Sequence, residues 1–270
     1  MVAGAACSDA TPPASLIQTS EATLQPSSWR SAVAPEGAPA GSQWIAIGTF
    51  DGRRIAAAVY RPASAGPAPV VLVLHGAGGL GPYVFELTQW LTKEGFVTVT
   101  PCWSGMLAIS ETFFCGGPAP IRDSASAVVK DVTAMAAAAR TLPGVRADRL
   151  AIVGYSLGAM AGVLDASMGG GTVEAVVAIS AGYGEGIRQD WGTTLPEQVD
   201  GLRAPVLIVH GSADQIDDAK AYEAAARSRG KSIETLYVEG GSHALPGEPQ
   251  YWTPEVRGHV IAFLKRKLAG

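Results

Sequence analysis

The chain is poor in cysteine, charged residues and aromatic residues, and it has no long apolar run. Three cysteines in 270 residues allow at most one disulfide, and none lies in the paired Cys-x-x-Cys pattern typical of metal sites. No stretch reaches the roughly 18 consecutive apolar residues of a membrane span. With 16% charged residues, a net charge of −4 and no basic stripe, the sequence indicates no nucleic-acid partner. We therefore expect no metal, no transmembrane segment and no bound nucleic acid.

The sequence does have enough apolar residues for one sizeable core. Hydrophobic residues make up 47% of the chain, and its length without an irregular leader suits a single α/β domain. Residues 1–42 are rich in Ala, Ser, Pro and Thr without a strong period, so we interpret them as a flexible leader or linker and 43–270 as the folded domain. The start, Met1 to Ser8, resembles the end of a bacterial lipoprotein signal that leads to Cys7. This favours an exported protein (periplasmic, secreted or lipid-anchored); the alternative is a cytoplasmic one.

A serine lies between a predicted strand and a predicted helix, in Gly154-Tyr155-Ser156-Leu157-Gly158. The apolar run Leu150–Val153 precedes it and an Ala-rich stretch follows it. Glycines on both sides let the strand and the helix pack closely while the serine projects from the turn. The pattern is typical of a nucleophile elbow and predicts Ser156 as a nucleophile.

A serine nucleophile needs a base and an acid, which follow it here in the order acid, histidine. Pro205–His210 reads as a buried strand, and Asp214 lies in the loop after it. Ser232–Val238 reads as the next strand, and His243 lies in the loop after that one. Because the carboxyl ends of parallel strands meet at one edge of a sheet, we expect both side chains near Ser156.

Other residues could take these roles. Asp214 could instead be a turn or helix-start residue, a position that Asp217 or Asp218 would suit equally well. We prefer His243 as the base because the other histidines lie in a loop, at a strand end and within the last helix. They are His75, His210 and His259.

Acyl transfer also needs N–H donors for the oxyanion. The first is expected to be the amide of Leu157, directly after the serine. The second is expected to be that of Ala77, in the loop His75-Gly76-Ala77-Gly78-Gly79 after the predicted strand Val70–Leu74. The small residues of this loop let its backbone approach a substrate, which Gly76 would contact; a plain glycine turn is the alternative.

The coarse pattern predicts an α/β fold with eight strands. Gln43–Phe50 and Arg53–Tyr60 form an antiparallel hairpin, and six further strands alternate with helices in a mostly parallel sheet. The last helix runs from about Pro254 to Leu268. The segment Gly182–Ala204 is too short for a large lid domain.

From about Gly48 onwards the chain resembles the α/β-hydrolases, and within them the dienelactone hydrolase-like branch. The His-Gly-x-Gly-Gly loop, the elbow, Gly-Ser-Ala-Asp and Gly-Ser-His carry this resemblance. It implies a hydrolase with a catalytic triad that needs no cofactor. Dienelactone hydrolases proper have cysteine at the elbow, so Ser156 points instead to a general serine esterase.

The substrate and the pocket are less constrained. Aromatic residues after two strands could line an acyl or aryl pocket, or merely cover the edge of the sheet. They are Trp103, Phe113, Phe114, Tyr183 and Trp191. Cys102 and Cys115 flank one of these loops and could form a disulfide; two free thiols are the alternative.

We expect a small-molecule or polymeric ester as the substrate, with a polyester as one option. A serine peptidase is the chemical alternative, and a hydrolase-fold binding protein without catalysis is the alternative of a different class. The oligomeric state is open, with a monomer favoured.

Overall fold

A computed structural model of the chain describes residues 24–64, 66–103, 122–170, 173–184 and 191–269. Nine strands form one sheet in the order β1-β2-β3-β5-β4-β6-β7-β8-β9. The strands are β1 Trp29–Ser31, β2 Gln43–Gly48, β3 Arg54–Tyr60, β4 Ala68–Leu74, β5 Val97–Pro101, β6 Val145–Tyr155, β7 Ala175–Ile179, β8 Val206–Gly211 and β9 Ile233–Val238. The helices are α1 Pro82–Lys93, α2 Ala125–Arg140, α3 Leu157–Met168, α4 Ile216–Ser228 and α5 Pro254–Leu268.

The predicted α/β-hydrolase architecture is confirmed, with one strand more than expected. β2 and β3 form the predicted antiparallel hairpin, and β4 to β9 pair in parallel. The ninth strand is β1, which comes from the stretch interpreted as leader and pairs antiparallel with β2. The three residues of β1 show no clear alternation of polar and apolar side chains, so the sequence does not indicate a strand there. They form a strand only because the folded sheet offers the free edge of β2 for pairing.

The central strands are buried on both faces, as their unbroken apolar sequences indicate. Helices α2, α3 and α4 contribute to the core on one face of the sheet, and α1 and α5 to the core on the other. Ser124 caps α2 and Thr253 caps α5, each accepting a hydrogen bond from a backbone N–H of the first turn. The two layers hold the carboxyl ends of β4, β6, β8 and β9 at one edge of the sheet.

A buried ion-pair network connects the β2–β3 hairpin to α2. The carboxylate of Asp131 is fully buried and accepts hydrogen bonds from Arg122 Nε and Nη2 at 2.6 and 2.9 Å. Arg53 Nη2 contributes a third contact at 3.2 Å, and Arg122 Nη1 also reaches Asp51 at 2.8 Å. The network satisfies a charge that would otherwise be very costly to bury.

Candidate active site

Ser156 lies in a strained turn between β6 and α3. Its backbone has φ of 52° and ψ of −118°, which is rare for a residue with a side chain. A Cβ on Gly154 would collide with the backbone of Gly158, and a Cβ on Gly158 would collide with the backbone of Leu74 in β4. The two glycines of the pentapeptide are therefore required for the close contact that presents Ser156 at the sheet edge.

The three residues predicted as nucleophile, base and acid lie in contact with one another. Ser156 Oγ is 2.9 Å from His243 Nε2, and His243 Nδ1 is 2.9 Å from Asp214 Oδ2. His243 is half exposed, with 53% of its side chain accessible, whereas Asp214 keeps only 10% accessible. The serine hydroxyl can therefore donate to a histidine that the nearly buried carboxylate orients.

Backbone hydrogen bonds join the two loops that carry Asp214 and His243. Ser212 N–H donates to the carbonyl of Val238 and Ala213 N–H to that of Gly241, both at 2.9 Å. In the opposite direction, the backbone N–H of Gly240 donates to Ser212 Oγ at 2.8 Å. These contacts fix the spacing between Asp214 and His243 before any ligand binds.

The predicted oxyanion loop lies against the serine. A Cβ on Gly76 would be 3.0 Å from Ser156 Cβ, so only glycine fits here without a shift. The Gly76 carbonyl accepts from Gly79 N–H at 3.0 Å and from His75 Nδ1–H at 2.8 Å. Complete burial lowers the pKa of His75 to about 4, so its ring is neutral near pH 7. Ala77 packs partly buried beside the core.

The amide of Leu157 is the other predicted donor. Leu157 is the first residue of α3, where a backbone N–H has no partner within its own helix. It follows the serine directly and belongs to the positive end of the helix dipole, which favours a developing negative charge.

Most of the predicted pocket aromatics do not face the site openly. Trp103, Tyr183 and Trp191 are 3%, 1% and 3% exposed and belong to the core. Trp103 Nε1–H donates to the carbonyl of His75 at 3.3 Å, so Trp103 supports the loop that begins at His75. Phe113, Phe114 and Cys115 lie outside the described residues.

Tyr155, which is not among the pocket residues chosen from the sequence, lies beside His243, and Tyr83 packs on it. The Tyr155 ring is 5.8 Å from the His243 ring, and Tyr83 packs edge-on against Tyr155 at 5.4 Å. Burial raises the pKa of Tyr155 to about 12, so its phenol stays neutral. The signal for Tyr83 was its place in the first turn of α1, directly after the oxyanion loop.

Other features of the site can be stated for the described part of the chain. There, no group of three or more His, Cys, Asp or Glu side chains is arranged to hold a metal. None of the helices in that part combines the length and apolar character needed to cross a membrane. Cys102 is disulfide-bonded, and its partner lies outside the described residues, so the pairing with Cys115 stays a prediction.

Comparison with known proteins identifies the family and the fold of the chain. The sequence pattern of the dienelactone hydrolase family matches residues 55–245. A protein of Synechocystis sp., provisionally named a carboxymethylenebutenolidase, is 27% identical over 141 residues, which are 50% of this chain and 55% of that protein. The chain thus spans about half the length of this curated relative.

Solved structures share the fold. A provisionally named dienelactone hydrolase from Klebsiella pneumoniae matches with a TM-score of 0.66 and 22% identity, over 83% of this chain and 97% of that one. Dipeptidyl peptidase 4 from Porphyromonas gingivalis matches with a TM-score of 0.67 and 19% identity, over 84% of this chain and 35% of that one. At these identities the similarity identifies the α/β-hydrolase fold.

Proposed function

The chain belongs to the dienelactone hydrolase family, and from this premise we propose that it is a serine hydrolase that cleaves carboxylic esters through an acyl-enzyme. The observation that carries the proposal is the continuous contact from Ser156 Oγ through the His243 ring to Asp214, with 2.9 Å at each step. A serine is a weak nucleophile without a base that takes its proton, and this arrangement supplies one.

In the first step, Ser156 Oγ attacks the ester carbonyl while its proton passes to His243 Nε2. Asp214 stabilises the imidazolium through His243 Nδ1–H. The negative charge that develops on the carbonyl oxygen is stabilised by the amides of Ala77 and Leu157. The C–O bond then breaks, and the alcohol leaves with the proton that His243 returns.

In the second step, water replaces the alcohol. His243 takes a proton from this water, which attacks the acyl-serine carbonyl, and the proton then passes to Ser156 Oγ as the acid leaves. The exposed half of the His243 side chain gives water access to the base. Each step uses only groups of the chain and water.

Esters are the favoured substrates because the family and the curated relative are both named for lactones, which are cyclic esters. The serine at the elbow favours general esters over a dienelactone, since dienelactone hydrolases proper use cysteine there. Tyr155, half-buried beside His243, and Tyr83, which packs on Tyr155, offer an aromatic wall for one side of the substrate.

A serine peptidase is the second candidate. It is supported by the similarity of fold to dipeptidyl peptidase 4, which spans only 35% of that larger protein. The same triad serves amides and esters, so the two candidates differ in substrate and not in mechanism.

Release of p-nitrophenol from acetate, butyrate and octanoate esters tests the proposal, with matched amino-acid p-nitroanilides testing the peptidase. We expect ester cleavage by the wild type and at least about a 10³-fold loss in Ser156→Ala. Ser232→Ala is the control, because this exposed serine lies before β9, at the opposite end of the sheet. Cleavage of the anilides alone would identify a peptidase, and equal ester cleavage by Ser156→Ala would refute the mechanism.

We also propose export and a polymeric substrate as finer parts of this function. The disulfide at Cys102 favours an oxidising compartment. Release of soluble acid from a polyester film, measured beside Ser156→Ala, tests whether polymers are accepted; a film left intact by an active enzyme would limit the substrates to small esters.

A further inference from the structure

The Asp214 carboxylate contacts a second imidazole besides that of His243. His210 lies in β8, four residues before Asp214, and its Nε2 is 3.4 Å from Asp214 Oδ2. The same oxygen is 2.9 Å from His243 Nδ1. The two histidines differ sharply in environment, since the side chain of His210 is 1% exposed and that of His243 is 53% exposed. Asp214 therefore lies between a buried imidazole and a solvent-accessible one.

An aromatic ring packs against His210. The ring of Tyr183 is 5.9 Å away, and Tyr183 stacks on Tyr222 of α4 at 5.0 Å. Burial lowers the pKa of His210, and the nearby His243 lowers it further. Asp214 and Asp218 act in the opposite direction but do not reverse the shift. His210 is thus a neutral ring with one N–H.

The single proton belongs on Nε2. A lone pair at Nε2 would face a carboxylate oxygen and be repelled by it, whereas an N–H dipole is attracted. Among the described residues, neither ring nitrogen has an aligned hydrogen-bond partner, so the contact with Asp214 is a dipole-to-charge contact. Because His210 is buried and Asp214 is only 10% exposed, such a contact is stronger than it would be in water.

We propose that His210 is a positioning residue that holds the Asp214 carboxylate in the orientation that His243 requires. The inference rests on the proposed function, because it concerns how the acid of that triad is kept in place. Remaining neutral is part of the role. A protonated His210 would neutralise Asp214 and deprive the His243 imidazolium of its partner, whereas the neutral ring fixes the carboxylate and leaves its charge available.

A role in positioning predicts a particular pattern of activity loss. His210→Leu replaces the imidazole with an apolar side chain of similar size and so removes the N–H. It should lower kcat for p-nitrophenyl butyrate about 10-fold with little change in KM. His210→Gln can place an amide N–H near Oδ2 and should recover part of the loss. If His210 only filled space, kcat would be the same in His210→Leu and His210→Gln.

The decisive experiment is a double-mutant cycle with Asp214→Asn. If His210 acts through Asp214, then His210→Leu should cost about 10-fold in the wild type and less than 2-fold in Asp214→Asn. The same loss in both backgrounds would overturn the proposal. Thermal unfolding of each variant verifies that folded proteins are compared.

A pH profile keeps the test decisive if Asp214→Asn is too slow to measure. Without the His210 N–H, the Asp214 carboxylate is held less well against His243 Nδ1 and stabilises the imidazolium less, so the acid limb of kcat/KM should move to lower pH in His210→Leu and return in His210→Gln. An acid limb unchanged in both variants would refute positioning. Ser156→Ala in the same assay separates the two hypotheses: activity without Ser156 would reject the proposed function, whereas Ser156-dependent activity that ignores His210 would reject only this inference.

Discussion

Two glycines within helices predict opposite effects of the same substitution. Gly162 lies in α3, the helix that begins directly after Ser156, and a Cβ there would be 2.8 Å from Ile152 Cγ2 of β6 and 3.3 Å from Val176 Cγ1 of β7. Gly258 lies in α5, exposed, with nothing within 4 Å of an added Cβ. Both lie in helix interiors, so Gly→Ala has the same helix-propensity gain at each.

The magnitudes follow from these contacts. Alanine is more favourable than glycine in a helix by about 0.8–1.0 kcal/mol, so Gly258→Ala should be more stable than the wild type by about that amount. At Gly162 the same gain is opposed by overpacking against two stiff, fully buried side chains, which typically costs about 1–3 kcal/mol. Gly162→Ala should therefore be about 1–3 kcal/mol less stable than Gly258→Ala.

Urea unfolding followed by circular dichroism measures the two free energies of unfolding. Because α3 would be pushed away from the sheet that holds Ser156, we also expect ester cleavage to fall in Gly162→Ala and to stay unchanged in Gly258→Ala. Equal stabilisation by both substitutions would show that α3 does not pack on β6 and β7 as closely as the structure has it.

Two further predictions concern buried charge. Burial lowers the pKa of His75 from 6.5 to about 4, so between these pH values the unfolded chain binds more protons than the folded one. The free energy of unfolding should therefore fall by on the order of 3 kcal/mol as the pH is lowered from about 6.5 to about 4. Urea unfolding across this range should show a flatter decline in His75→Gln, and identical slopes would contradict the buried neutral ring. Arg122→Met removes two hydrogen bonds from the buried Asp131 and should lower the free energy of unfolding by about 3 kcal/mol. Lys265→Met is the control: it breaks an exposed ion pair with Glu94 and should lower the free energy of unfolding by less than about 1 kcal/mol in the same measurement.

Much of the fold could be predicted from the sequence because its elements have strong local signals. The buried strands have unbroken apolar sequences, and Pro254 suits the first turn of α5. β1 could not be predicted in this way, because its three residues are a strand only by pairing with β2. An edge strand this short has little pattern of its own.

The candidate site also has a part that the sequence predicts and a part that it does not. The arrangement of Ser156, Asp214 and His243 follows from parallel strands that end at one edge, which the order of strands and loops already indicates. The aromatic surroundings do not follow, because a loop aromatic points into the core or towards the site according to packing that sequence does not specify. Trp103 is buried and contacts the His75 carbonyl, whereas Tyr155 lies beside His243.

The role inferred for His210 could not be foreseen for a related reason. At a strand end it had only been set aside as a candidate base, and its 3.4 Å contact with Asp214 depends on how the loop after β8 turns back. Gly154 and Gly158, in contrast, could be interpreted from the sequence, because their positions in the pentapeptide predict the close packing of backbone that the structure shows.

The central claim is that Ser156 is a nucleophile activated by His243, and covalent labelling tests it most directly. The folded protein would be treated with a fluorophosphonate ester and analysed by peptide mass spectrometry, beside His243→Ala as the variant without the base. The account predicts one label per chain, on the peptide that contains Ser156, and labelling at least about 10²-fold slower in His243→Ala. Labelling elsewhere, or at the same rate without His243, would contradict it.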